Sequence, residues 1–141
     1  MYNKILIVID LGDIEKASEM VKTAQDLTAH NPNAIYRVAT VIEPFDGSFI
    51  SSFLPQGFDK SVISEANKML HEFTKQHFPE GTKVQHIVAH GTIHEEVNRI
   101  AHDKSIDLII MLAKKKRTSK GLSSDTVKVA RYSEKPMLLL R

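Results

Sequence analysis

A cluster of cations near the end of the chain is the sequence feature that most directly indicates a chemistry. Lys114–Lys116 and Arg117 follow an apolar run, Asp107–Leu112, and precede Ser123 and Ser124. Lysine ammonium groups bind phosphate as point charges, and free N–H groups at the start of a helix bind anions. The pattern is compatible with a phosphate site between a strand and a helix, but a solvated charged loop is the favoured interpretation of the charge run itself.

Glycine is absent where the backbone would have to approach a phosphate closely. Neither G-x-x-x-x-G-K-S/T nor G-x-G-x-x-G occurs, so a P-loop and a dinucleotide-binding fingerprint are not indicated. Asp125 also opposes an anion, because its carboxylate would compete for the same N–H donors. No serine has a nucleophile-elbow context, and His86 and His90 lack a third metal ligand. The sequence therefore gives no positive support for catalysis or for a metal site.

Composition restricts the class of protein. The 141 residues carry a formal net charge of +2, which argues against a general nucleic-acid or membrane binder. Cysteine is absent, which excludes disulfides and thiolate metal sites. The first apolar run ends at Asp10 and is too short for a signal peptide or a membrane span. We expect one cytoplasmic domain comprising residues 1–141.

Apolar runs of strand length alternate with stretches of helical periodicity. Strands are expected at about 5–9, 35–42, 83–89, 107–112 and 136–140. Helices are expected to begin after the possible caps Asp13 and Asp59, at a capping box formed by Thr92 and Glu95, and at Ser124. Their predicted inward positions include Ile14, Ala17, Val21, Ala24, Leu27, Val62, Ala66, Met69, Leu70, Phe73, Ile93, Val97, Ile100 and Ala101.

This alternation predicts an α/β fold. We expect a single-domain, open, mostly parallel five-stranded sheet of Rossmann-like type, with helices on both faces. Ligands of such sheets bind beyond the carboxyl ends of the strands, where the strand order switches. Asp10, Thr40–Ile42, Gly91–Thr92 and the segment Met111–Asp125 fall there. A turn or cap explains Asp10 equally well, and a tight turn at the helix entry is the favoured explanation of Gly91.

The order and spacing of five motifs resemble the universal stress protein family over essentially the whole chain. Lys4–Asp10 is similar to the first strand of the family with its terminal aspartate, and Thr40–Pro44 to the end of its second strand. His90–Val97 resembles the glycine-containing helix entry, Asp107–Met111 the fourth strand and Pro136–Arg141 the closing strand. The resemblance implies an adenine nucleotide alpha hydrolase-like fold and a homodimer that pairs through the closing strand.

The resemblance also implies an altered nucleotide site. One branch of the family binds ATP through a G-x-x-G run after the fourth strand and a later G-S/T before the last helix. In this chain Leu112 and Lys115 occupy the first two glycine positions, Ser123 occupies the third, and Ser124 keeps the Ser/Thr position. A side chain at a glycine position hinders the close approach of backbone N–H groups to phosphate.

Further contacts are implied at other points of the same site. Asp10 and Val41 match the positions that contact ribose and adenine in the family. Gly91 lies at the helix entry, Met111 ends the fourth strand and Lys114 begins the cationic loop. With the three glycines replaced, we expect at most weak binding of ATP or AMP.

Three functions are compatible with these residues. The leading hypothesis is a homodimeric stress-response protein that acts as a signalling or protective binding module, with a degenerate nucleotide site and no efficient enzymatic activity. The alternative is a functional ATP binder, with at most slow hydrolysis, in which Lys114–Lys116 and Ser123–Ser124 bind the phosphates. A third possibility is a structural protein that recognises an unknown protein partner through Phe45–Phe58, a predicted loop in which Phe45, Phe49 and Phe53 are expected to be exposed.

Overall fold

The described part of the chain forms a five-stranded parallel sheet with two helices on each face. The computed structural model describes residues 2–43, 56–114 and 121–141, without the side chains of 56–59. The strands are β1 Lys4–Val8, β2 Ile35–Ile42, β3 Lys83–His90, β4 Leu108–Leu112 and β5 Met137–Leu140. The helices are α1 Ile14–Leu27, α2 Gln56–His77, α3 Ile93–Asp103 and α4 Ser124–Tyr132.

The strand order places the earliest strand at the centre of the sheet. The order is β3-β2-β1-β4-β5, and all four pairings are parallel. Ile5 lies opposite Tyr36 of β2 on one side and Leu108 of β4 on the other. The chain thus builds outward from β1 in one direction and then returns to its other side. The reversal of strand order opens a crevice between the carboxyl ends of β1 and β4.

Two apolar clusters, one on each face of the sheet, form the core. Strand residues alternate between the faces, so Ile5 and Ile7 pack with α1 and α2, whereas Leu6 packs with α3 and α4. All three side chains are fully buried. Burial of β1 on both faces explains why its sequence is a continuous apolar run rather than an alternating one.

The helical periodicity predicts which face of each helix is buried but overestimates how much of that face is covered. Ala17, Val21 and Ala24 are buried as predicted, yet Ile14 is 42% exposed and Leu27 is 37% exposed. Both lie at the ends of α1, beyond the sheet that covers its middle. Met69 of α2 is 39% exposed for a related reason, since it lies beside rather than on the buried stripe.

One predicted helix start and one predicted capping interaction differ from those observed. The Asp13 carboxylate accepts the Lys16 N–H at 3.3 Å and caps α1 as predicted. The prediction that Asp59 caps α2 is wrong, because the helix already begins at Gln56. Thr92 holds the cap position of α3, but its side chain makes no capping hydrogen bond, so the predicted capping box is not formed.

The last strand lies at one edge of the sheet. All four residues of β5, Met137–Leu140, are half-buried, and β4 is its one neighbour in the strand order of the described chain. Met137 and Leu139 pack against the α3 and α4 cluster, and Leu138 and Leu140 against the α1 and α2 cluster. This chain alone therefore leaves an apolar strand edge unpaired with another strand.

Candidate functional site

A cavity of about 230 Å³ lies at the switch in strand order. Its walls come from the carboxyl ends of β1, β2 and β4 and from the first turns of α3 and α4. The lining residues are Val8, Ile9, Asp10, Thr40, Val41, Glu43, Ile93, Met111, Leu112, Lys114, Ser123, Asp125 and Thr126. This is where an open α/β sheet binds its ligands.

The Asp10 side chain is held by the turn that follows β1. Its Oδ1 accepts the Gly12 N–H at 2.8 Å, and its carbonyl accepts the Asp13 N–H at 2.9 Å. A Cβ at Gly12 would lie 3.2 Å from that same carboxylate oxygen, so the turn is tight. Asp10 is nevertheless exposed at the cavity. One carboxylate oxygen of Asp10 accepts a hydrogen bond that forms the turn. The turn holds the side chain in place but does not depend on the second oxygen.

Hydrogen bonds at the start of α4 fix the opposite wall. Ser123 Oγ accepts the Thr126 N–H at 3.2 Å, which caps the helix, and the Ser123 N–H donates to Ala113 O at 2.8 Å. Thr126 Oγ1 donates to Leu112 O at 2.8 Å. The helix start and the end of β4 are thus joined by two bonds, one from the Ser123 N–H and one from the Thr126 hydroxyl.

Carboxylates outnumber cations on the described walls. The ionisable side chains of the described lining residues are Asp10, Glu43, Asp125 and Lys114. Asp125 lies in the first turn of α4, where a carboxylate competes with any phosphate for the positive end of the helix dipole. A phosphate in this cavity would therefore depend on cations from residues 115–120, which lie outside the described residues.

Six of the nine residues proposed from the sequence line this cavity: Asp10, Val41, Met111, Leu112, Lys114 and Ser123. Ser124 is an exposed residue of the first turn of α4 and is not among the lining residues. Lys115, like most of the Phe45–Phe58 segment, lies outside the described residues.

Gly91 has a structural role that the structure makes specific. Its φ is +142°, its N–H donates to Ile42 O at 3.0 Å, and a Cβ there would lie 3.3 Å from Glu96 Cγ. Gly91 is not among the residues that line the cavity. The turn between β3 and α3 therefore requires glycine for its conformation, which agrees with the tight turn at the helix entry that the sequence favoured.

Sequence reasoning did not propose several other lining residues. Glu43 follows β2 directly, and Thr126 lies three residues beyond the cap Ser123, so both positions carried a signal that was not used. Ile93 enters from the first turn of α3 and carried no signal of its own, since an apolar residue there is equally suited to the core.

Fold and cavity together define an open, parallel α/β protein with a ligand-sized crevice at the switch point of its sheet. The model of the universal stress protein family matches residues 1–141. The chain belongs to the universal stress protein family.

One relative illustrates the similarity both in sequence and in structure. The universal stress protein MJ0577 of Methanocaldococcus jannaschii is 35% identical, over 100% of this chain and 96% of the relative. A solved structure of MJ0577 has a TM-score of 0.80 at 30% identity and covers 99% of this chain and 96% of the other.

More distant structures share the fold alone. A universal stress protein in complex with cAMP has a TM-score of 0.61 at 20% identity and covers 99% of this chain and 97% of the other. UspA of Lactobacillus plantarum has a TM-score of 0.73 at 16% identity, with coverage of 99% and 98%.

Two further site types are not found within residues 2–43, 56–114 and 121–141. No three or more histidine and acidic side chains are grouped so that they could hold a metal ion. No helix there combines the length and the apolar character needed to cross a membrane.

Proposed function

We propose that this universal stress protein is a cytoplasmic homodimer that binds an adenine nucleotide weakly at the cavity between β1 and β4. It acts as a signalling or protective binding module in the stress response rather than as an efficient enzyme. The observation that carries the proposal is the cavity itself, in which Asp10, Val41 and Lys114 come together from three different strands and loops.

The size of the cavity favours the nucleoside part of the ligand. Small-molecule sites commonly enclose roughly 300–1,000 Å³. The described residues enclose about 230 Å³, so a nucleoside uses the space between Asp10 and Val41 while phosphates extend outward past Lys114. One relative of the same fold was solved in complex with cAMP, which supports a nucleotide as the ligand class.

The weak affinity follows from the phosphate end of the cavity. Leu112 is half-buried, packs partly against the core and lines the cavity at the first glycine position. The Ser123 hydroxyl and N–H are engaged by the helix start and by β4. Neither residue offers phosphate the fixed backbone cradle that glycines provide. Binding through long lysine side chains instead loses affinity to side-chain ordering, and we expect a Kd for ATP above roughly 10 µM.

The alternative is an ATP binder in which cations replace that cradle. Lys114 lines the cavity, and Lys115 and Lys116 follow it in the sequence. Phosphate held by lysines alone is screened by salt. A steep fall of ATP affinity with ionic strength, with unchanged adenosine affinity, would favour this alternative over binding through the nucleoside.

The homodimer is proposed from β5. An apolar edge that remains open is an aggregation hazard, and pairing with the same strand of a second copy would cover it. Met137–Leu140, with Pro136 and Arg141, would then lie at a two-fold interface. The half-buried state of all four strand residues in the single chain supports this arrangement.

One purification tests the nucleotide proposal. The supernatant of denatured protein is examined for adenine nucleotides by mass spectrometry, and calorimetry then compares ATP, AMP and adenosine. Asp10→Asn is a sharp variant, because the amide oxygen can still accept the Gly12 N–H and preserve the turn. We expect weak binding of all three ligands, reduced several-fold by Asp10→Asn. Absence of adenosine and ATP binding at about 1 mM would refute the proposal.

A further inference from the structure

A second cavity, far from the nucleotide site in the fold, contains a stacked pair of histidines. It encloses about 630 Å³ between the C-terminal half of α2 and the edge strand β3. His71 of α2 and His86 of β3 stack there with ring centroids 3.7 Å apart and planes 25° from parallel. His71 is exposed and His86 is half-buried. The cavity is lined by His71, Glu72, Thr74, Lys75, Phe78, Pro79, Glu80, Thr82, Val84 and His86.

A buried threonine determines the tautomer of His86. Thr74 is 5% exposed, and its hydroxyl donates to the His71 carbonyl at 3.1 Å. The same oxygen lies 2.5 Å from His86 Nε2. When the hydroxyl donates its one proton to the carbonyl, His86 donates to the hydroxyl from Nε2. A proton added to neutral His86 therefore goes to Nδ1 and places a cation against the His71 ring.

The surroundings make that proton unfavourable. Burial is the largest cause that lowers the pKa of His86, and the charge of His71 lowers it further. The other ionisable groups that line this cavity are Glu72 and Lys75 on α2 and Glu80 in the following turn, all exposed to water. Exposed carboxylates screened by solvent compensate a cation only weakly.

We propose that the His71–His86 pair is a proton-sensitive latch, which holds the C-terminal half of α2 against β3 when the rings are neutral and releases it on acidification. Two imidazolium rings at stacking distance repel each other, so full protonation requires the rings to separate. β3 is an edge strand, and release of α2 from it loosens the packing of Leu70 and Phe73 in the core that contains Ile5 and Ile7. The latch is independent of any nucleotide.

The sign of the pH effect follows from the lowered pKa. A histidine in the unfolded chain titrates near 6.5, and His86 in the folded chain titrates below that value. Between these two values the unfolded state binds more protons, so stability rises with pH. The contribution is complete above the unfolded pKa and is lost as the pH falls through the folded pKa.

Thermal unfolding between pH 8 and pH 5 tests the latch, with His86→Gln as the variant. Glutamine keeps an amide nitrogen that can donate to Thr74 and removes the titration. We expect the Tm of the parent protein to fall by about 3 °C more over this range than that of His86→Gln. His30→Gln is the matched control, because His30 is an exposed histidine in the turn after α1 and should leave the pH dependence unchanged.

A direct titration keeps the proposal testable if His86→Gln does not fold. Proton NMR of the parent protein reports the pKa of each imidazole. We expect the pKa of His86 below the ordinary histidine value, and we expect it to rise in His71→Phe, which keeps a stacked ring without a charge. Amide exchange in residues 69–77, corrected for intrinsic rates, should accelerate at pH 5. An ordinary pKa for His86, or equal pH dependence of Tm in parent and His86→Gln, would overturn the latch.

Discussion

The hydroxyl groups of Ser123 and Thr126 are joined by a hydrogen bond of 2.8 Å in which Ser123 is the donor. The direction follows from the next bond in the chain, because Thr126 donates its one hydroxyl proton to Leu112 O. Ser123 Oγ at the same time accepts the Thr126 N–H. The Ser123 hydroxyl therefore already donates its proton and accepts one hydrogen bond within the fold. Its main role in the structure is to cap α4.

The cap should be measurable as stability. Ser123→Ala is expected to lower the free energy of unfolding by about 1 kcal/mol, since α4 loses its side-chain acceptor and the Leu112–Thr126 chain of bonds loses a member. Ser124→Ala is the matched control, because Ser124 is exposed in the first turn and should change stability by less than about 0.5 kcal/mol. Urea denaturation measures both. Equal losses in the two variants would contradict this assignment.

Repair of the phosphate end is the sharpest test of the degenerate site. Replacing Leu112, Lys115 and Ser123 together by glycine should increase ATP affinity, because three Cβ atoms vanish and the backbone can turn its N–H groups toward phosphate. Stability should fall by roughly 0.5–1 kcal/mol per glycine from chain entropy, and further from the lost packing of Leu112.

Calorimetry with ATP and with adenosine separates the effect on phosphate from the effect on the nucleoside. The gain should be confined to ATP, and adding Asp10→Asn should reduce it. Unchanged ATP affinity in a triple variant that circular dichroism finds folded would disprove the claim that missing glycines limit binding.

Gly91 should be intolerant of substitution although it does not line the cavity. Gly91→Ala combines a positive φ with a 3.3 Å approach to Glu96 Cγ, and Glu96 is itself paired with Arg99 at 2.9 Å. We expect a loss of about 1–3 kcal/mol in thermal or urea unfolding.

Gly81→Ala separates conformation from contact. Gly81 also has a positive φ, of +89°, but a Cβ there meets no atom within 4 Å. The Gly91 substitution should therefore cost more than the Gly81 substitution, and the reverse order would show that the contact with Glu96 is unimportant.

The dimer prediction can be tested at one half-buried residue of the edge strand β5. Leu139→Lys places a charge in the middle of β5 and should give a monomer or insoluble protein at micromolar concentration. Leu122→Lys is the control, because Leu122 is 43% exposed and precedes α4. Sedimentation of the parent protein decides the matter directly, since a monomeric parent would refute the interface.

The strands were predictable because burial on both faces writes an unambiguous pattern. β2 was predicted within its observed bounds, and β1 was predicted one residue late at each end, as 5–9 against Lys4–Val8. Helix faces were less predictable, because periodicity gives a direction but not the extent of the surface that covers it. Ile14 and Leu27 fit the period of α1 and are exposed where the sheet ends.

The site was predictable where it follows strand ends and unpredictable where it depends on turns. Asp10 and Leu112 follow from the rule that ligands meet the carboxyl ends of parallel strands. The hydrogen bond between the Ser123 and Thr126 hydroxyl groups depends on how the chain leaves β4. The absence of Gly91 from the cavity lining depends on a φ angle that no spacing in the sequence specifies. Turn geometry is a property of the folded chain.

The central position of β1 has a consequence for folding during synthesis on the ribosome. Its first neighbour β2 is synthesised soon afterwards, but its second neighbour β4, which pairs Leu108 with Ile5, is synthesised much later. The β1-β2-β3 half can form early, with the far side of β1 open to solvent and to other nascent chains. Pairings so distant in sequence slow folding. A protein built outward from β1 thus depends on the later strand β4 to cover the remaining side of β1.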